Sequence, residues 1–130
     1  MLAALAALVS MFFVQPSLAA GTTAAGGPAG PPGNAVIAGY GCNHDACLEV
    51  APEGGGAWVR CMHRPVPWRN ITGHCHFWGP HYDFNEADRH MPPWEEGPWH
   101  WVNTQGVHCL ELWELVNGGY VSRGLPCVSG

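Results

Sequence analysis

The sequence predicts an all-β fold, a small antiparallel sandwich or barrel stapled by disulfides and placed after a signal peptide and a Gly/Ala/Pro linker. Three observations carry that expectation. Strand-like runs recur at short spacing between breaks rich in the 18 glycines and 12 prolines. No window shows a 3.6-residue apolar period with helix caps; Leu110 to Val116 comes nearest, and it leads straight into a hairpin signal. Six cysteines stand in a chain of 130 residues, and small exported domains rely on sulfur bridges where the core is limited.

In chain order, Met1 to Val14 is nearly all apolar, Pro16 interrupts the run, and Ser17-Leu18-Ala19-Ala20 places small residues at cleavage positions. This is the pattern of a secretory signal peptide over residues 1–19, although no Lys or Arg precedes the apolar run. A run of about 13 residues is shorter than the ~18 to 20 that cross a bilayer, so no transmembrane anchor is expected after signal cleavage. Residues 20–34 are Gly, Ala, Thr and Pro closing on Asn34, too poor in apolar surface to offset ordering entropy, and read as a flexible linker. Gly27 to Gly33 imitates two collagen triplets, too few to hold a triple helix. The folded unit is therefore expected over residues 35–130.

Within it the strand-like runs are Ala35 to Tyr40, Ala46 to Ala51, Ala57 to Met62, Gly73 to Trp78, Trp99 to Asn103, Val107 to Val116 and Tyr120 to Val128. Asn117-Gly118-Gly119 tolerates positive φ and suits a tight turn between the last two. Pro65 to Trp68 and Pro92 to Pro98 are expected to be loops. In Gly73 to Pro80 the period of two sends Cys75 and Phe77 one way and His74, His76 and Trp78 the other, with Gly73 opening the strand.

Charge narrows the partners. The chain has no lysine, five arginines and a formal charge of −5, so a nucleic-acid partner is not expected, because phosphate binding needs a concentrated basic face. Eight histidines, fully protonated, would carry that charge to +3, which places the change of sign at about pH 6 to 7.

Six cysteines allow about 15 pairings, among which sequence alone does not choose. Strand placement favours one set. Cys61 and Cys75 lie on what read as neighbouring strands, each sharing a face with apolar residues. Cys109 and Cys127 sit in the arms of the final hairpin, and Cys42 and Cys47 bracket a tight turn.

Several stretches together resemble small secreted proteins of unknown function frequent in actinobacteria. They are the Cys42-x4-Cys47 loop leading to Leu48-Glu49-Val50, Gly73-His74 with Gly79-Pro80, Val107-His108-Cys109 to Trp113, and Gly118-Gly119-Tyr120 to Arg123-Gly124-Leu125-Pro126-Cys127-Val128. The resemblance spans about Gly41 to Val128 and implies fold and localisation, not functional residues. It implies four cysteines with an aromatic residue at the place of Cys75, so Cys61 and Cys75 would be an added pair joined to each other. His76 falls outside the pattern.

Two kinds of candidate site remain. His74 and His76, two apart on a strand, present two imidazoles on one face, a spacing that suits zinc or copper. A third ligand could come from His81, or from His100 or His108, with Asp83 and Glu111 as carboxylate options; half-exposed surface histidines without a metal are the favoured reading. The second kind is aromatic. Among seven tryptophans, Trp68, Trp94 and Trp99 lie beside prolines in loops and are expected to be exposed, as a platform for a glycan, lipid or protein. Trp58, Trp101 and Trp113 are expected in the core.

Asn70-Ile71-Thr72 is a glycosylation sequon. Asp83, Asn85, Glu86 and Asp88 are expected to form a solvated turn without calcium-loop spacing. Catalysis is disfavoured: the cysteines are expected to be oxidised, Ser122 and Ser129 sit in no nucleophile elbow, and Glu111 and Glu114 face opposite sides of a strand. His74 or His76 with Asp83 is the one base-and-orienter arrangement in view. The expected function is an extracellular binding or structural domain with an unidentified ligand or protein partner, the alternative being a histidine-ligated Zn or Cu protein or, less favoured, a hydrolase.

Overall fold

The computed structural model describes Gly30, Pro31, Gly33 and residues 36–130, and among these described residues it has ten antiparallel strands and no helix. The expected signal peptide, most of the linker and Ala35 lie outside the described residues. The strands are β1 (Gly39–Asn43), β2 (Ala46–Glu53), β3 (Gly56–His63), β4 (Ile71–Gly79), β5 (Tyr82–Asn85), β6 (Arg89–Met91), β7 (His100–Val102), β8 (Val107–Val116), β9 (Gly119–Ser122) and β10 (Cys127–Ser129).

They form two sheets. The first has the order β1-β2-β3-β7; the second has the order β10-β8-β4-β5, with β6 also pairing β4 and β9 also pairing β8. The chain crosses between sheets after β3, after β6 and after β7. Alternation decides which side chains meet in the middle. Leu48, Val50, Val59 and Cys61 from the first sheet face Cys75, Phe77, Leu110 and Leu112 from the second, all without solvent exposure. The expected split of β4 holds: Ile71, Cys75 and Phe77 are buried, whereas His74, His76 and Trp78 stand on the outer side.

Turn chemistry accounts for the short connections. Asn117 and Gly118 both take positive φ (50° and 81°) between the paired Val116 and Gly119, the two-residue geometry that matches strand twist. Pro80 and His81 (φ 69°) turn β4 into β5 in the same economical way, proline first and the left-handed residue second.

The expected hairpin from Tyr120 to Val128 is interrupted. Arg123 N–H donates to the Leu112 carbonyl, while Leu112 N–H donates to the carbonyl of Gly124. Two residues therefore oppose one, a β-bulge that separates β9 from β10. Gly124 takes φ 149° there, and an added side chain would collide with the Asn43 carbonyl.

Other expectations are corrected. Gly73 does not open its strand; it is the third residue of β4, where an added Cβ would run into the Trp113 carbonyl of β8. The first strand begins at Gly39 rather than Ala35. β5 and β6 occupy a stretch expected to be a turn; each is only three or four residues long and is held by pairing with β4. The Pro92–Pro98 stretch is a loop, as expected, but one held against its neighbour. It hydrogen-bonds along β3 through Trp94 N–H to His63 O (2.7 Å) and Gly97 N–H to Cys61 O (2.7 Å).

All six cysteines are paired as Cys42–Cys47, Cys61–Cys75 and Cys109–Cys127, with none free. The pairs are those that strand placement favours, with one correction. β3 and β4 are consecutive in the chain but belong to opposite sheets, so Cys61–Cys75 ties the two layers of the sandwich together rather than two neighbouring strands.

Candidate functional site

β7 supplies one wall of the site. Its alternation sends His100 and Val102 inward and Trp101 outward, and Trp99 immediately before it takes the outward phase as well. Trp101 is directly opposite Trp58 of β3, their rings 5.3 Å apart and edge to face. The Trp58 indole N–H donates to Glu53 (2.6 Å), which fixes that ring against the β2–β3 turn. Arg60 lies over Trp99 at 4.4 Å and is itself held by Glu49 and Glu96, so this indole is clamped on one face.

On the inner side of β7, His100 packs between Phe77 and Phe84, 5.4 and 5.1 Å away, and donates to Glu86 (2.7 Å). Burial alone would raise the Glu86 pKa, but hydrogen bonds from His100 and Arg89 more than offset it and hold the carboxylate below its ordinary range. The result is an open cleft of about 860 Å³ around the β7 edge, lined by Trp58, Trp99, Trp101, Phe84, His100 and the Glu53–Gly55 turn. Concave, aromatic and sparingly polar surfaces of this kind are where ligands bind.

The three tryptophans expected on one surface are divided. Trp99 belongs to the cleft. Trp68 (73% exposed) and Trp94 (43%) form a separate pair 6.4 Å apart, with Arg64 over Trp94. Trp101, expected in the core, is 44% exposed, because β7 is the last strand of its sheet and no described strand lies over its outer face. Trp113 is half-buried rather than core, and only Trp58 is buried as expected. Sequence reasoning missed Trp101, Phe84 and Glu53 as site residues, and offered His100 only as a metal ligand. The signal for Trp101 was present, since Trp99-His100-Trp101 at a period of two puts both indoles on one face.

His74 and His76 stand together on the outer face of β4, but each is engaged by a different carboxylate. His74 donates to Asp88 and His76 to Asp83, both at 2.7 Å. Tyr120 donates to the other oxygen of Asp88 (2.7 Å), and these two hydrogen bonds, that of His74 first, hold the Asp88 pKa down. His81 is exposed on the β4–β5 turn. His108 is buried and hydrogen-bonded with Tyr82 (2.9 Å). Among the described residues no group of three or more His, Cys, Asp or Glu side chains is placed to hold a metal ion.

A second hollow, about 510 Å³, lies beside Asn43, Asp45 and Arg123 at the opposite end of β8. Its charges are already matched: Arg69 donates to Glu114 (2.9 Å) and Asp45 (2.8 Å), and Arg123 donates to Glu114. This network ties the β1–β2 turn to the bulge and is structural.

Two histidines are buried with one ring nitrogen unpartnered among the described residues. His63 donates its Nδ1–H to the carbonyls of Met91 (3.1 Å) and Pro92 (3.2 Å), which leaves Nε2 as the site that a proton would occupy without a partner. Burial lowers the pKa of both His63 and His108. Their folded pKa values lie below the unfolded value of about 6.5, so the unfolded chain binds more protons as pH falls through that value. Stability should be complete above about pH 6.5 and decline on acidification below it. The buried or paired carboxylates Glu86 and Glu114, whose pKa values are lowered, add their loss only further down, below about pH 4.5. Urea midpoints measured between about pH 7.5 and 5.5 should fall, and a midpoint that stays level would contradict this account.

Compared with family models, with curated proteins and with solved structures, the chain matches none of them.

Proposed function

We propose that this is a non-catalytic binding domain of the extracellular space, with its ligand seated in the Trp58–Trp99–Trp101 cleft. One observation carries the reading: a small domain leaves Trp101 and part of Trp99 uncovered in a single cleft, although both would contribute more to stability if buried. Rigid indoles on a β-edge give large contact area at little entropic cost, which is why tryptophan dominates binding hot spots. The disulfides support an oxidising compartment, with no thiol left free. The resemblance to small secreted actinobacterial proteins points the same way. The titratable groups near the cleft and on the β4 face are engaged with one another, His100 with Glu86, His74 with Asp88 and His76 with Asp83, as suits a fixed surface.

The test is a binding panel of soluble cello- and chito-oligosaccharides and of extended peptides against the purified chain, followed by calorimetry. Trp101→Ala should weaken a genuine ligand by about 2 kcal/mol, roughly 30-fold, whereas Trp68→Ala should leave affinity unchanged. A ligand lost with Trp68 and retained without Trp101 would move the site elsewhere, and turnover of any panel member would overturn the non-catalytic reading.

A further inference from the structure

The segment before β1 returns to the far side of its own sheet. β1 is at one edge of the first sheet and β7 at the other, three strand spacings or about 14 Å away. Gly30 nevertheless packs against Trp99: a Cβ added to it would lie 2.8 Å from Cδ1 and 3.4 Å from Cγ of the indole. The stretch from Gly30 to Gly39 can extend to about 30 Å, so the reach is within its means. Gly30 and Pro31 are half-buried, whereas Gly33 is exposed with nothing within 4 Å of an added Cβ, and Val36 is 76% exposed. Among the described residues before β1, burial is thus confined to the Gly-Pro step beside the tryptophan.

We infer that the cleft is a receptor for Gly-Pro-containing chain, and that its occupant is this protein's own Gly30-Pro31 step. The inference rests on the binding-domain reading and names the ligand class. Proline fixes φ and leaves such a segment less backbone entropy to lose, and aromatic-lined grooves take up proline-containing chain. The cleft has the complementary parts. The Trp58 indole N–H is taken by Glu53, while among the described residues none accepts from those of Trp99 and Trp101. The outer edge of β7 is unpaired by any described strand and offers further backbone partners. Glycine at position 30 lets the backbone approach an indole that Arg60 prevents from yielding.

The experiment uses the full chain, its Gly30→Leu variant, and a synthetic heptapeptide with the sequence of residues 27–33, Gly-Pro-Ala-Gly-Pro-Pro-Gly. A tethered segment competes at an effective concentration on the order of mM; against a peptide Kd on the order of 0.1 mM this masks the cleft about tenfold. Gly30→Leu should shift the Trp99 indole N–H resonance and bind the heptapeptide about tenfold more tightly than the unaltered chain. Trp99→Ala or the exposed Trp101→Ala, placed in the Gly30→Leu chain, should weaken that binding at least about tenfold. An unmoved Trp99 resonance, equal affinity for the two chains, or binding indifferent to both tryptophans each overturns the inference. Chito-oligosaccharide binding that depends on Trp101, with none of the heptapeptide, overturns it while sparing the binding-domain reading. A panel in which nothing depends on Trp101 removes both.

Discussion

Phe77→Ala is expected to lower the unfolding free energy by about 3 to 5 kcal/mol, the largest effect of any single core truncation in this domain. Phe77 is the largest fully buried side chain. It stacks on Phe84 at 5.2 Å and meets His100 at 5.4 Å, so its ring fills the space between β4, β5 and β7. The backbone on each side is pinned by sheet pairing, which limits collapse into that space. Against a total of roughly 5 to 15 kcal/mol, such a loss leaves the domain close to unfolding. Urea titration gives the number, and a loss below about 1 kcal/mol would show that the two layers are not packed around this ring. The same variant should loosen His100 and Phe84 and with them the inner wall of the cleft.

Removing the Cys61–Cys75 bridge as a double alanine variant is expected to cost about 3 kcal/mol. The residues it joins are 14 apart in sequence, and closing a loop of about that length restricts the unfolded chain by that amount in the chain-entropy model. For a domain of this size the melting temperature should fall on the order of 10 to 20 °C. Both sulfurs are fully buried between the sheets, so the vacated volume adds to the loss. The Cys42–Cys47 pair closes a loop with a separation of 5, and its removal should cost only roughly 2 kcal/mol. Thermal unfolding of the two double variants side by side checks the order; a smaller loss from the inter-sheet bridge than from the turn bridge would refute it.

Strand identity was legible where a residue pattern is local. Alternation in Gly73 to Trp78 assigned each side chain of β4 to its face, and Asn117-Gly118 located the turn. The strands that escaped notice, β5 and β6, are short and draw their stability from pairing with β4, a partner that composition does not announce. The bulge at Arg123–Gly124 escaped for the same reason, since it depends on how β8 and its partners share Leu112.

The histidines make the distinction plain. As letters the eight are equivalent, and their formal titration gives a single change of charge sign. In the folded chain His63 and His108 are buried with a bare ring nitrogen, while His74, His76 and His100 are each tied to a carboxylate. The zinc or copper reading of His74, His76 and His81 drew on spacing, which puts two imidazoles on one face. Spacing does not show that Asp83 and Asp88 engage those same rings.

The sequence alone determined an all-β chain with short strands, a Gly/Pro framework of turns and cysteines placed to pair, because each of these depends on residues near one another in the chain. Which sheet each strand joins was decided only when the layers formed: Cys61 and Cys75 became a tie between sheets, and Trp101 became exposed at an edge. Edge position, the opposing layer and the meeting of Gly30 with Trp99 are relations between distant segments, and burial in the folded state is what selects them.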